Sequence, residues 1–467
     1  MFDPTLWSPI CFGLCFVLFG TFAALVHWHR GVLLGFSMMA VMSFFLTNLS
    51  GLFITNIFFL DDSHMTPDHI VVYLYTIAGL FAYAAGLWWA WRPLRKGVVL
   101  VNPFVREGKL VYAFLAVGVC ILLFARFLPF IPTVSSILFR LSGLVQLAFI
   151  AAIVWTLQRG DYARLALAAG IFIPVALFNV VITGFAGMIG LFMLHPSILF
   201  LFWRKVTVVR AVAMCCVVYC FFLLASVWFS TRSLIREGGL REGGEVGRAV
   251  EFYSAFANAA SDSVVKPEVL QVAALTRIDL SSYNAIQVGY LESTGGYSYG
   301  KSLFVDPLLA LIPRLVWKDK TISLGDSEFI NRYTGLVLSN DSISVDTNIT
   351  FELYANFGWI GVVIGLFFFG LIIGKLELAL CRPGIKLRTV VVISIVLLTL
   401  SSGGRRAAAM ALEIGTSAIA AYILGLSLEF SGLFVKVFHT AGAVVSPARS
   451  GLRKSIQRTG LKDSPAT

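Results

Sequence analysis

From about Ser230 to Glu352 the chain is polar, and on both sides of that stretch it consists of apolar segments long enough to cross a bilayer. Crossing the hydrocarbon core takes a helix of about 20 predominantly apolar residues. Segments that meet or approach this length are Leu6–Val26, Val32–Leu52, Ile70–Trp91, Leu110–Phe127, Leu138–Leu157, Leu165–Thr183, Met188–Trp203, Val206–Phe229, Leu353–Gly374, Thr389–Leu400 and Ala407–Leu428. The stretch Ile171–Trp203 equally accommodates a broken or re-entrant pair around Thr183–Gly187, where non-helical backbone has to be buried in protein or line a wet cavity. With 58% hydrophobic and 13% charged residues, the chain has too little charge to cover a soluble globule of this length. The expected fold is all-α: a polytopic integral membrane protein with about eleven transmembrane helices. Residues 1–229 hold spans one to eight, 230–352 a large external loop, 353–435 the last three spans and 436–467 a basic tail.

Basic residues set the orientation. With the amino terminus outside, the cytoplasmic loops and tail collect 21 Lys and Arg, among them Arg92, Arg95, Lys96, Arg204, Lys205, Lys386 and Arg453. The short external loops hold only Arg126, Arg140, Arg405 and Arg406. This positive-inside bias places the long loop outside and the carboxyl terminus in the cytoplasm. The net charge of +11 then reflects topology and a basic tail facing anionic lipid, not nucleic-acid binding. Residues 1–5 carry no Lys or Arg, so a cleavable signal peptide is not expected.

The chemistry is narrowed by what is missing. No phosphate-binding P-loop and no dinucleotide fingerprint occurs, and no cysteine spacing fits a zinc site. Six cysteines fall in expected spans, Cys381 is cytoplasmic, and the external loop has none, so no disulfide staples it. Neither a nucleotide, a metal nor any other cofactor is expected. The loop opens on a Gly-rich echo, Arg236-Glu-Gly-Gly and Arg241-Glu-Gly-Gly, which reads as a linker. Further on come helix-like stretches at Ala249–Ala260 and Val269–Ile278 and an apolar run from Leu303 to Trp317, so a mainly helical cap is expected. The loop carries 15 acidic and 11 basic residues, but Arg314, Lys318 and Lys320 cluster, with Arg332 beyond. An enzyme acting on a lipid pyrophosphate without a metal needs such cations to neutralise the leaving group, and Arg binds phosphate bidentately.

Two segments carry a family resemblance. The run Gly296-Tyr-Ser-Tyr-Gly-Lys-Ser-Leu-Phe, continuing through Leu311-Ile-Pro-Arg-Leu-Val-Trp-Lys-Asp-Lys320, resembles the bacterial oligosaccharide repeat-unit polymerases (Wzy-type, the O-antigen polymerase group). Glu352-Leu-Tyr-Ala-Asn-Phe-Gly358 is similar to the same family's Glu-x-Tyr-x-Asn-Phe-Gly signature, and Arg277 stands where such proteins often carry an Arg. The likeness covers roughly residues 270–375; elsewhere it is one of topology. Thr183-Gly-Phe-Ala-Gly-Met departs from the pattern, because family members commonly place an Arg shortly after that turn.

The resemblance implies an enzyme at the periplasmic face of the bacterial inner membrane. It would transfer a growing glycan from undecaprenyl pyrophosphate to the non-reducing end of an incoming lipid-linked repeat unit, in concert with other polysaccharide-assembly proteins such as a chain-length regulator. Catalytic candidates on this reading are Arg314, Arg277 and Glu352. Substrate-binding candidates are Lys318, Lys320, Arg332, Arg405, Arg406, Tyr299, Trp317, Tyr354 and Asn356.

Each candidate has a plain alternative. Arg314, Lys318 and Lys320 read equally as a solvated rim at the headgroups, and Arg277 as the partner of Asp279. Arg405 and Arg406, on the side that the positive-inside rule disfavours, are either anchors or lipid-pyrophosphate ligands. Glu352 sits where an acid stabilises a helix dipole, and Asp326, Glu328 and Asp346 compete with it as general base. Glu413, deep in the last span, is either functional or paired with an arginine. None of the six histidines lies in the long loop; a loop His is typical of the related O-antigen ligases. Three other functions stay open: such a ligase, a flippase of lipid-linked sugars, and a metal-dependent lipid-phosphosugar transferase using Asp61, Asp62, His64, Asp68 and His69.

Overall fold

The computed structural model describes residues 3–28, 35–58, 65–92, 109–127, 141, 144–159, 162–183, 254, 257–258, 279–312, 317, 326–336, 347–401 and 406–430. Among these residues the secondary structure is helical. The elements are α1 (Pro4–Trp28), α2 (Phe36–Asn48), α3 (Ser50–Phe58), α4 (Pro67–Ala90), α5 (Lys109–Phe127), α6 (Leu144–Arg159) and α7 (Tyr162–Thr183). There follow α8 (Ser281–Thr294), a π-helical turn (Lys301–Val305) that runs into α9 (Asp306–Leu311), α10 (Asp326–Thr334), α11 (Ile349–Leu380), α12 (Leu387–Ser401) and α13 (Ala407–Phe430). Among the described residues, four stretches are long and apolar enough to cross a membrane: Pro4–Leu25, Pro67–Ala90, Ile349–Leu380 and Ala407–Glu429. Shorter apolar helices accompany them.

The spine is the packing of α4 on α11, and small residues make it close. A side chain at Gly86 would collide with the Phe367 carbonyl, and one at Gly370 with the Tyr83 carbonyl. Gly79 faces Val362 and Leu366, and Gly374 faces Ala90 and Leu87. Such stripes let two backbones approach where lipid removes any hydrophobic drive between helices. Phe44 and Tyr83 pack edge-on, and both meet the ring of Phe369. On the opposite side of α11, Ile360, Ile364, Phe368 and Ile372 recur every fourth residue and are exposed. On α13, Ile419, Tyr422 and Ile423 are exposed as well, on one face.

The expected span Val32–Leu52 is two helices, broken at Leu49. Thr47 and Asn48 return side-chain hydrogen bonds to the carbonyls of Ser43 and Phe44, at 2.9 Å each, and such back-bonding offers the chain an alternative to helix. A segment far along the chain uses the break: the N–H of Leu280 donates to the Thr47 carbonyl at 2.7 Å. The ninth expected span, Leu353–Gly374, is longer in both directions. Its far end carries Glu377, fully buried, whose Oε1 accepts from the N–H of Ser37 at 3.0 Å and so caps the start of α2. Tyr83 closes the same corner, donating to the Ser37 carbonyl at 3.1 Å. The apolar run Leu303–Trp317 stops being helical at Leu311, because Ile312 precedes a proline and is extended (φ −70°, ψ 121°). The expected spans Met188–Trp203 and Val206–Phe229, the helix at Val269–Ile278, the basic tail and, apart from residues 254 and 257–258, the helix at Ala249–Ala260 lie outside the described residues.

Candidate functional site

The site is built at the start of α11. Asn348 caps the helix, its Oδ1 accepting from the N–H of Phe351 at 2.9 Å. Its amide is held in turn by Asn48, whose Oδ1 accepts from Asn348 Nδ2 at 2.9 Å and from Asn284 Nδ2 at 2.7 Å. The Thr350 hydroxyl lies within bonding reach of both Asn48 and Asn348. Three helices are thereby fixed to one buried amide: α2, α8 and α11. Asp279, just before α8, accepts from the N–H and hydroxyl of Ser281 at 3.0 and 2.6 Å. Burial pushes its carboxyl up from 3.8 to about 6, against the hydrogen bonds from Ser281, Gly51 and Ser50 that favour the ionised form.

Two turns further on, α11 breaks. Phe357 (φ −140°, ψ 17°) and Gly358 (φ 63°, ψ −155°) leave helical geometry, and only glycine adopts the second conformation without strain. The carbonyls ahead of the break find partners from outside the helix. Gln287 Nε2 donates to Phe351 at 3.0 Å, and the N–H of Ser298 donates to Ala355 at 2.9 Å. Asn356 makes the rest of the joint: it donates to the Glu352 carbonyl and to Ser302 Oγ at 2.7 Å each, and accepts from the N–H of Gly300 at 2.8 Å. Breaks of this kind, with neighbours bonding carbonyls ahead of the break, are how irregular backbone persists beside a membrane.

Glu352 faces the opening of α13. It is 1% exposed, and its Oε2 accepts from the N–H of Ala407 in a short hydrogen bond. Ser302, already engaged by Asn356, bonds the same carboxylate, and the charges of Arg406 and Asp306 act on it with opposite sign. Arg406 is itself buried, its guanidinium 4.4 Å from the centre of the Phe329 ring on α10. Phe329 packs in turn on Phe351 and Tyr333. A buried carboxylate is thus held at a helix start, next to a buried cation that an aromatic ring keeps in place.

Beside it lies a row of phenols. Tyr354 is buried and stacks on Tyr75 with ring centroids 5.1 Å apart, and it hydrogen-bonds Tyr297. The carboxylates of Glu292 and Asp68 act on the same phenol. Tyr297 meets Tyr299 edge-on, and Tyr299, at φ 47°, is 75% exposed.

Of the residues singled out in the sequence, Glu352, Tyr354, Asn356 and Arg406 come together here, with Tyr299 at the open edge. Trp317 is exposed. Arg332 is exposed on α10 and lies over Tyr333, 5.7 Å from the ring centre. Arg277, Arg314, Lys318, Lys320 and Arg405 lie outside the described residues, as do Asp61, Asp62 and His64. The Nδ1 of His69 is taken up by Thr66 in the cap of α4. The sequence reading missed Asn48, Asn284, Gln287, Ser302 and Glu377. An amide inside an apolar span was the available signal for Asn48, and Asn348-Ile-Thr350 reads as a common sequon when it is in fact a helix cap.

Fold and site together define an all-helical protein with several helices of membrane-crossing length, one of which is broken next to a buried acid. Residues 32–380 match the model of a family described as a domain of unknown function (DUF8712), and the chain belongs to that family. The matched stretch runs from α2 to the end of α11; Arg406 and Ala407 come from beyond it. No curated protein and no solved structure matches the chain.

Proposed function

We propose that the protein is a multi-pass bacterial inner-membrane glycosyltransferase that polymerises undecaprenyl-pyrophosphate-linked oligosaccharide repeat units at the periplasmic face, without a metal. The reading takes about eleven spans, the long loop 230–352 as a periplasmic cap, an external amino terminus and a cytoplasmic carboxyl terminus. The observation that supports it best is a convergence: the Tyr299-Gly-Lys-Ser302 run and the Glu352-to-Gly358 run, which carry the family likeness separately, meet through Asn356.

In the proposed reaction an acceptor sugar hydroxyl gives its proton to a carboxylate base, for which Glu352 is the candidate, and attacks the anomeric carbon of the lipid-linked donor. The bond from that carbon to the pyrophosphate oxygen breaks, and the lipid pyrophosphate leaves with the electron pair. Its new charge needs cations at a fixed place. Arg406 fills that role, positioned by Glu352 and Phe329, with Arg405, Arg314, Arg277, Lys318 and Lys320 assigned to the same task by the sequence likeness. Tyr299, Tyr297 and Trp317 offer ring faces to the sugars, and amphipathic rings combine apolar area with a polar handle.

The test is deletion of the gene in its host, followed by gel analysis of surface and lipid-linked glycan. Polymerase function predicts loss of long chains while single repeat units still reach the outside. Long chains that accumulate on the lipid carrier, unattached to their final acceptor, would make the protein a ligase. Repeat units trapped on the cytoplasmic side would make it a flippase.

A further inference from the structure

The short helical segment Lys301–Leu311 turns polar groups inward and an apolar face outward. Its inner side carries Ser302, buried and bonded to Asn356, and Asp306, whose charge acts on Glu352, beside the apolar Leu303 and Ala310. Its exposed apolar residues are Phe304, Val305, Leu308 and Leu311, a spacing that makes one continuous helical face; Phe304 and Leu308 are 65% and 68% exposed. An element facing water shows the reverse arrangement, polar outside and apolar inside. The neighbouring α8 offers the contrast: its last turn exposes Glu292, Ser293 and Thr294.

The position of the segment agrees with its polarity. It begins at the break in α11, where Gly300 brings the rings of Phe304 and Phe357 together. It ends with Leu311 against Gly415 of α13. Gly415 is eight residues into that helix, which is about 12 Å along its axis from Ala407. One turn further, Ile419 and Ile423 form the exposed apolar stripe of α13. The segment therefore descends beside α13 towards a surface of membrane-facing character, and its own apolar face continues the stripes of α11 and α13.

We infer that Phe304–Leu311 is immersed in the bilayer, with Phe304, Val305, Leu308 and Leu311 covered by lipid acyl chains and Lys301 at its aqueous edge. This makes one wall of the Glu352 site a lipid-contacting element, so the carboxylate and Asn356 lie one helix thickness from hydrocarbon. The inference rests on the membrane-spanning reading of α11 and α13 and not on glycan transfer, so each stands or falls without the other.

A photo-crosslinking amino acid placed singly at Phe304, Leu308 or Leu311 tests it, in full-length protein reconstituted into phosphatidylethanolamine–phosphatidylglycerol liposomes. The expected result is a lipid adduct by mass at a yield like that from position 364 on the α11 stripe, and several-fold above that from position 292. Adducts no more abundant than at 292 would overturn the inference. So would crosslinks to another peptide of the chain or to a second copy, which would show protein covering the face. Should those proteins fail to assemble, alkylation by a membrane-impermeant maleimide in native membranes decides the point. Label above the wild-type background is expected at Lys301→Cys and not at Leu308→Cys; equal labelling would contradict immersion.

Discussion

Glu352 on α11 accepts a hydrogen bond from the backbone N–H of Ala407, 55 residues later, and in doing so ties the start of α13 to the broken part of α11. Arg406, immediately before that N–H, is buried against Phe329. Removing the carboxylate strands the half-buried Ala407 N–H, a loss that costs about 1–3 kcal/mol in comparable sites. Glu352→Ala should therefore lower the unfolding temperature of the purified protein sharply. Glu352→Gln keeps an acceptor for Ala407, so it should lose activity while losing less stability. Thermal unfolding of both variants in the same detergent checks the ordering.

Asn48 is the hub of the second junction. Its Oδ1 serves Asn348, 300 residues away, and Asn284. Asn48→Leu strands the buried Asn284 amide, at about 1–3 kcal/mol, and leaves Asn348 Nδ2 only its 3.3 Å bond to Thr47 Oγ1. Asn284→Ala removes one donor and leaves the other satisfied, so it should cost clearly less. Denaturant unfolding that ranked the two variants equally would contradict the network.

Asp279 gives a pH signature. Its folded value of about 6 lies above the ordinary 3.8 because burial disfavours the charge. Such a group favours the folded state when neutral, so its contribution is fully present below 3.8 and is lost as pH rises through about 6. Over that window stability should fall by up to about 3 kcal/mol, the equivalent of the shift. Asp279→Asn should flatten the fall between pH 4 and pH 7, read by unfolding in buffered detergent, with wild type as the sloping reference.

Close packing of α4 on α11 makes Gly86 and Gly370 intolerant. A side chain at either would meet main-chain oxygen, whereas a Cβ at Gly13 on α1 meets nothing within 4 Å. Gly86→Leu and Gly370→Leu should cost at least about 1–3 kcal/mol by overpacking, with poor recovery from membranes. Gly13→Ala should be silent in the same assay.

How far the sequence reached follows from what each residue depends on. The long helices were legible because membrane-crossing length and apolarity are local properties, and Glu352, Tyr354 and Asn356 because they stand in one contiguous motif. Arg406 was visible through its placement on the side that basic residues avoid. Its approach to Glu352 was not, because that depends on how α13 packs against α9 and α12. Likewise the break at Leu49 comes from two side chains outcompeting the helix, and Asn48 to Asn348 is a contact that hydropathy alone does not encode. Glu377 escaped because the apolar window ends at Gly374, one turn before it.

The most direct measurement is chain elongation by the purified protein in liposomes supplied with undecaprenyl-pyrophosphate-linked repeat units. Wild type should produce a ladder of lengthened glycans in the presence of a chelator. Glu352→Gln and Arg406→Gln, recovered folded, should leave single units. A ladder that persisted in both variants, that required a divalent cation, or that wild type failed to make would contradict polymerisation at this site.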